Sequence, residues 1–237
     1  MTKNRQTKET PVAALAGNPN VGKSTIFNAL TGMRQHTGNW PGKTVALAQG
    51  MCSYKGEEIR LVDLPGTYAL VSKSQEETLA AGFISGGEAD CVIAVCDATS
   101  LERSLILALQ VMELTDRVFV CVNLMDEAQK QGIEIDLAAL SFALGVPVVA
   151  ASAGREEGMG ELLEQLRRIL DGFEAPRPRR CGVVSDSIRE SHLGAEALRG
   201  ASGRASDEIA AQFVRRAEEI AKRVVRETRQ DAKTRTL

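Results

Sequence analysis

The chain is poor in aromatic residues and nearly without histidine: Phe, Tyr and Trp together make up 4% of 237 residues, and there are only two His. His36 and His192 lie far apart, and the cysteines show no CxxC spacing, so no transition-metal constellation is visible. Cysteine is also too sparse and too unpaired for a disulfide scaffold. The five residues (Cys52, Cys91, Cys96, Cys121 and Cys181) are odd in number, and three sit inside apolar runs, which marks small buried hydrophobes in a reducing compartment. No apolar stretch of signal-peptide length follows the polar segment Met1–Thr10, so secretion is not indicated. The one long uncharged run, residues 137–154, is broken by Ser141, Gly145, Pro147 and Ser152. It reads as helix, turn and strand rather than as a membrane span, and the chain is expected to be soluble.

Net charge is small as well, at −2, but it is unevenly spread. Residues 177–237 hold 14 Lys and Arg against 9 Asp and Glu, a net of +5, and the remainder carries −7. A basic C-terminal quarter fits either an anionic partner (a membrane surface, a nucleic acid, the acidic body of the chain) or a solvated Arg-rich helix. What is present is ordinary for a globular protein: 43% apolar and 25% charged residues. At roughly 150 residues per domain, the length predicts one full domain and a smaller appendage.

Val12–Ala16 is a short apolar run ending at Gly17, and Ser24–Leu30 has helical spacing, so the chain opens as strand, loop, helix. Met33–Lys43 is polar and glycine-rich and reads as a mobile loop. Val45–Tyr54 and Glu58–Val62 flank Lys55 and Gly56 as a hairpin. Strands at Cys91–Cys96, Val118–Val122 and Val146–Val149 then alternate with helices at Leu101–Leu114, Ile135–Leu144 and Met159–Leu170. That rhythm predicts an α/β domain with a mainly parallel six-stranded sheet and one antiparallel edge strand. It stops at the Pro- and Arg-rich segment 173–180, read as a linker after a first domain at 11–172, with 1–10 a disordered N-terminus. Residues 181–237 read as a small helical domain, with Ser206 as a helix cap and Ile209, Phe213, Ala217, Ile220 and Val224 forming an apolar stripe.

Between the first strand and helix, Gly17-Asn18-Pro19-Asn20-Val21-Gly22-Lys23-Ser24, followed by Thr25, has the spacing of a phosphate-binding loop. Backbone N–H groups turned inward at a helix N-terminus form an anion nest; Lys23 reaches the β- and γ-phosphates, and Ser24 is a Mg²⁺ ligand. Asp63-Leu64-Pro65-Gly66 ends a later strand, where Asp63 can hold Mg²⁺ through water and Gly66 can sense the γ-phosphate. Asn123-Leu124-Met125-Asp126 closes another strand. A carboxylate there accepts from guanine N1–H and the exocyclic N2 amine, a donor pair adenine lacks. Ser152-Ala153-Gly154 offers a backbone N–H to guanine O6. Taken singly, Asp126 could be a helix cap and Ser152–Gly154 an ordinary turn; in this order the four elements point to a guanine nucleotide.

Three further stretches, Gly38-Asn39-Trp40-Pro41-Gly42-Lys43-Thr44-Val45, Val62-Asp63-Leu64-Pro65-Gly66-Thr67-Tyr68 and Asp97-Ala98-Thr99-Ser100-Leu101-Glu102-Arg103-Ser104-Leu105, narrow the reading. Over residues 12–171 the chain resembles the N-terminal GTPase domain of FeoB ferrous-iron transporters. The resemblance implies a nucleotide set of Gly17 to Thr25, Gly42, Thr44, Asp63, Gly66, Asn123, Met125, Asp126, Ser152 and Ala153. It makes Lys23, Thr44 and Gly66 the catalytic groups, Thr44 a Mg²⁺ ligand, and Asn20 a holder of K⁺. It places the switches at residues 34–48 and 66 to about 80, and a nucleotide-release-inhibiting helical domain at the C-terminus. It further implies an inner-membrane iron permease region beyond this chain, small accessory Feo proteins as partners, a cytoplasmic-face location, and an oligomer as an option.

Thr67 stands where many GTPases carry a water-orienting glutamine, so unassisted hydrolysis is expected to be slow, on the order of 10⁻⁴ to 10⁻² s⁻¹. Leu124 replaces the usual lysine beside the base, and Ala46 an acidic residue. Two other readings stay open: a soluble RNA-binding GTPase of ribosome assembly, and an ATP-using enzyme with the same loop. Against the first, residues 181–237 contain one Phe and no Tyr or Trp, although Gly200–Gly203 is formally a GxxG.

Overall fold

A computed structural model of the chain describes residues 10–32, 35–39, 46–70, 74–185, 187–188, 194–200 and 204–227. Strand β1 (Val12–Gly17) leads into α1 (Lys23–Thr31), and β2 (Gln35–Asn39), β3 (Ala46–Tyr54) and β4 (Glu57–Asp63) follow. Next come α2 (Gln75–Ser85), β5 (Cys91–Asp97), α3 (Leu101–Leu114), β6 (Val118–Asn123), α4 (Met125–Lys130), β7 (Ile133–Ile135) and α5 (Leu137–Leu144). The chain continues through β8 (Val148–Ala150), α6 (Met159–Leu170), α7 (Gly194–Gly200), α8 (Arg204–Val224) and β9 (Val225–Glu227).

The main sheet runs β2-β3-β4-β1-β5-β6-β8, with β4, β1, β5, β6 and β8 parallel and β3 antiparallel to its neighbours. The mainly parallel α/β sheet legible in the sequence is there, with the expected hairpin turning at Lys55 and Gly56. An additional strand, β2, extends it along β3, within the stretch expected to be loop throughout. Pairing by backbone groups lets a polar, glycine-containing segment join a sheet edge without an apolar pattern.

Because successive strand residues face opposite ways, the sheet divides its apolar residues between two layers. Ala13, Leu15, Ile93, Val95, Phe119 and Cys121 pack with Ile26, Phe27, Leu162 and Leu166 of α1 and α6. Ala14, Ala16, Val92, Ala94, Val120 and Val122 pack on the other side with α2 and α3. Leu105, Leu107, Ala108, Leu109, Val111 and Met112 are all buried, because α3 is covered by the sheet on one side and by α8 on the other. The predicted stripe Phe213, Ala217, Ile220 and Val224 is buried in that second layer, so it closes against the sheet domain rather than within a separate core.

Three boundaries differ from the sequence reading. Ile135 belongs to β7, which pairs antiparallel with β9, and the following helix starts at Leu137 with Asp136 accepting the Ala139 N–H at 2.9 Å. An Asp cap satisfies an otherwise unpaired helix-end donor and so overrides apolar spacing that continues one turn further back. The last strand of the sheet is Val148–Ala150 rather than Val146–Val149. Helix α8 begins at Arg204, so Ser206 lies inside it and is not its cap. Residues 174–180 have no regular structure, and the Arg177 and Arg179 N–H groups donate to the carbonyls of Gly145 and Leu144 at 3.0 and 2.7 Å. Among the described residues no helix is long and apolar enough to cross a membrane.

Candidate functional site

The C-terminal ends of the parallel strands carry the motif residues. After β1 the chain turns through Asn18–Gly22 into α1, with Asn20 at φ 67 and Gly22 at φ 87. A side chain at Gly22 is excluded twice, by the left-handed backbone and because a Cβ there would meet Asn123 Nδ2 at 2.3 Å. Lys23 is buried and donates to the carbonyls of Gly17 (3.0 Å) and Asn18 (3.2 Å), folding its ammonium back over the loop. Burial lowers its pKa, partly offset by the nearby Asp63 carboxylate.

Asp63 ends β4 beside the loop, where Ser24 Oγ donates to its Oδ2 at 3.0 Å. Burial raises its pKa, against the lowering effects of Lys23 and Ser24. Its second oxygen, Oδ1, is buried without a hydrogen-bond partner among the described residues. A hydroxyl and a carboxylate with a spare buried oxygen fit a hard, oxygen-loving cation such as Mg²⁺. Gly66 lies close by: a Cβ there would sit 3.0 Å from Lys23 Nζ and 3.2 Å from Pro19, so a side chain at this position would crowd the phosphate loop. Thr67, in the position of the missing glutamine, is buried, and Tyr68 is half exposed with the Arg103 guanidinium 4.5 Å above its ring. Gly42 and Thr44 lie outside the described residues, as does Trp40; Ala46 opens β3, and its side chain is not among those described.

At the other end of the site, Asn123 binds two loops at once. Its Nδ2 donates to Val21 O at 3.0 Å, and its Oδ1 accepts the Ala153 N–H at 3.0 Å. Leu124 follows at φ 63, and Met125 N–H donates to Ala151 O at 3.2 Å. Asp126 lies in the first turn of α4 and is not the cap; its own N–H donates to Ser152 Oγ at 3.2 Å. Its carboxylate is held by Arg155, whose Nε is 3.1 Å from Oδ2, with Lys130 farther off at 3.9 Å. The amides of Ser152 and Ala153 are both engaged, on Glu157 O and Asn123 Oδ1, rather than standing free for a base carbonyl.

The structure therefore brings Gly17–Thr25, Asp63, Gly66, Asn123–Asp126 and Ser152–Ala153 together at the C-terminal ends of the parallel strands. The sequence reading missed Arg155, although it is the first cation after the Ser152–Gly154 turn, and it missed that Val21 O is the acceptor tying the loop to Asn123.

A sequence profile of the N-terminal region of the ferrous iron transport protein B family matches residues 11–166. The chain belongs to this family. It is 44% identical over 165 residues to the Fe(2+) transporter FeoB of Escherichia coli (strain K12), an alignment covering 68% of this chain and 21% of that protein. It thus spans about a fifth of that relative's length. The cytosolic domain of the T. maritima FeoB iron transporter superposes on it with a TM-score of 0.78 in a GDP form, at 31% identity, covering 92% of this chain and 100% of that one. Its GMPPNP form gives the same TM-score at 32% identity and the same coverage. The α/β architecture is thus that of FeoB G domains, the P-loop GTPases of this family, and the RNA-binding alternative finds no support among these relatives.

Proposed function

We propose that this chain binds and slowly hydrolyses GTP, and that it is the cytoplasmic-face switch of a ferrous-iron transporter whose permease region lies outside it. The GTPase unit is residues 11–172, joined through 173–180 to a helical unit at 181–237. The observation that carries the reading is the junction at Asn123, where a single buried side chain ties the phosphate loop at Val21 to the Ser152–Ala153 turn that also receives the Asp126 N–H.

In this reading the β- and γ-phosphates occupy the N–H nest of residues 17–24, with Lys23 Nζ giving up its carbonyl acceptors for phosphate oxygens. Ser24, Thr44 and, through water, Asp63 would hold Mg²⁺. When bound, that ion would supply positive charge against the phosphates. Asp126 accepts the guanine N1 and N2 protons, while Met125, Ser152 and Ala153 line the base; the Ser152 and Ala153 amides must exchange partners to reach O6. Water attacks the γ-phosphate in line, oriented by backbone groups of the two switches, since Thr67 replaces a glutamine; its oxygen bonds to the γ-phosphorus as the bond to the β–γ bridging oxygen breaks, GDP leaves, and the water's proton passes to the phosphate set free. Loss of that phosphate releases Thr44 and Gly66, and both switches relax.

We further assign K⁺ to the Asn20 side of the loop, where a monovalent cation neutralises developing charge as an arginine finger would. Gly42 contacts the nucleotide from the first switch, small accessory Feo proteins are candidate partners, and self-association is a property to be measured. The test is GTP turnover in KCl against NaCl, for the wild type and Asn20→Ala. Turnover stimulated by K⁺ and lost in Asn20→Ala supports the assignment; turnover indifferent to both removes the potassium step, and no turnover in either salt removes the enzyme.

A further inference from the structure

Helix α3 is apolar along its last ten residues except at two positions, Gln110 and Glu113, one turn apart. Both are buried, at 1% and 0% exposure, in a layer of apolar side chains. A polar group buried in such surroundings is costly unless it is fully hydrogen-bonded, and these two take partners from segments outside the helix. Gln110 Oε1 accepts the backbone N–H of Leu70 at 2.6 Å, four residues after Gly66. The Glu113 carboxylate accepts four successive backbone N–H groups, those of Cys181, Gly182, Val183 and Val184, at 2.6–3.1 Å.

Each anchor continues outward. On the switch side, Arg103 of the same helix stacks 4.5 Å from the Tyr68 ring. On the C-terminal side, Gln212 of α8 donates to Cys181 O at 2.8 Å, so the turn held by Glu113 is also held by the long C-terminal helix. The segment after Gly66 and the segment entering the C-terminal helices are thus pinned to neighbouring turns of one buried helix, and no direct contact between them is needed for one to strain the other.

We propose that α3 couples the second switch to the C-terminal helices, with Gln110 and Glu113, on successive turns near its C-terminal end, as the positioning residues. The proposal rests on the reading of Gly66 as the γ-phosphate sensor. When Gly66 moves toward the γ-phosphate, the 66–70 segment pivots about its anchor on Gln110, α3 shifts as a unit, and the four amides on Glu113 tighten or loosen with it. Coupling of this kind is reciprocal, so a change at residues 181–184 alters the preference of the site for triphosphate over diphosphate.

The test is amide hydrogen exchange at residues 181–184 in the full chain with Mg²⁺, loaded with GDP or with GMPPNP, in the wild type, Gln110→Met and Gln110→Glu. The wild type is expected to show exchange at 181–184 that differs about threefold or more between the two nucleotides. Gln110→Met, which removes the acceptor, should bring the two states together while GDP still binds, and Gln110→Glu, which keeps an acceptor oxygen, should retain the difference. Equal exchange in the wild type, or a difference that survives Gln110→Met, overturns the proposal. Glu113→Gln provides the reverse measurement and does not depend on Gln110→Met folding: the ratio of GMPPNP to GDP affinity should shift about fivefold or more, and an unchanged ratio overturns the coupling. A wild type that binds neither nucleotide would instead overturn the functional reading beneath it.

Discussion

Arg155 Nε lies 3.1 Å from Asp126 Oδ2, so an arginine holds the carboxylate that guanine would take. Guanine presents two donors to two carboxylate oxygens, and the arginine has to yield one of them. The pair is about half exposed on the arginine side, which limits its worth to about 0.2–1 kcal/mol. Arg155→Ala is therefore expected to strengthen GDP binding by about 1.5- to 5-fold, measured by titration at fixed ionic strength. Weaker binding would mean that Arg155 stays to orient the carboxylate instead of competing for it.

Asn123 is the joint between the two halves of the site. In Asn123→Ala the buried Val21 carbonyl and the Ala153 N–H lose their partner together. The expected loss is about 1–3 kcal/mol of stability for each group left unsatisfied. GDP affinity should fall at least tenfold, because the phosphate loop and the base turn are no longer held in register. Thermal unfolding and nucleotide titration of the same variant measure the two effects.

Asp126→Asn should change the base preference rather than abolish binding. The new amide offers a donor where the carboxylate offered only acceptors, so guanine loses a pairing and xanthine, with a carbonyl at C2, gains one. Competition between GDP and XDP for the variant is expected to favour XDP, the reverse of the wild type.

The buried Lys23 makes affinity depend on alkaline pH. Its pKa lies below the ordinary lysine value of 10.5 because burial disfavours the charge. Bound phosphates favour it again, so between the depressed and restored values the complex holds more protons than the free protein. Binding takes up a proton there, and affinity falls as pH rises, by up to about tenfold per pH unit. For the nucleotide-free fold alone the sign is opposite: a depressed lysine costs stability below its folded value, and the fold gains as pH rises through that window. Calorimetric titration in buffers of different ionisation enthalpy reads the proton uptake directly.

Phe213 measures how firmly the C-terminal helix is seated. It is fully buried in the layer shared with α3, and Phe213→Ala should cost about 3–5 kcal/mol, visible as a lowered Tm. A change under about 1 kcal/mol would mean that α8 contributes little to the packing of the sheet domain.

The parts of this protein that were legible in the sequence are those carried by short-range pattern. Gly17 to Ser24, Asp63 to Gly66 and Asn123 to Asp126 each follow an apolar strand at fixed spacing, and the family resemblance named the same residues. What escaped was carried by contacts distant in sequence. The Glu113 cradle joins residues nearly 70 positions apart, and β7 pairs with β9 across still longer separations, Ile133 with Glu227 and Ile135 with Val225. Three-residue strands such as Ile133–Ile135 have no period to read, and the apolar spacing of Ile135 with Leu140 and Leu144 resembled a helix. Gln110 and Glu113 were visible as the only polar residues in the last ten positions of α3, a pattern that signals buried polar anchors even where it does not reveal what they hold.

The central claim is that this site reads guanine through Asp126 and holds its phosphates on the loop at Lys23. Competition of GDP and ADP against a fluorescent guanine nucleotide, with Mg²⁺ present, tests it most directly. Adenine leaves the Asp126 carboxylate without its two donors, so the account predicts that ADP competes at least about 100-fold more weakly than GDP. Equal competition by the two nucleotides would contradict it.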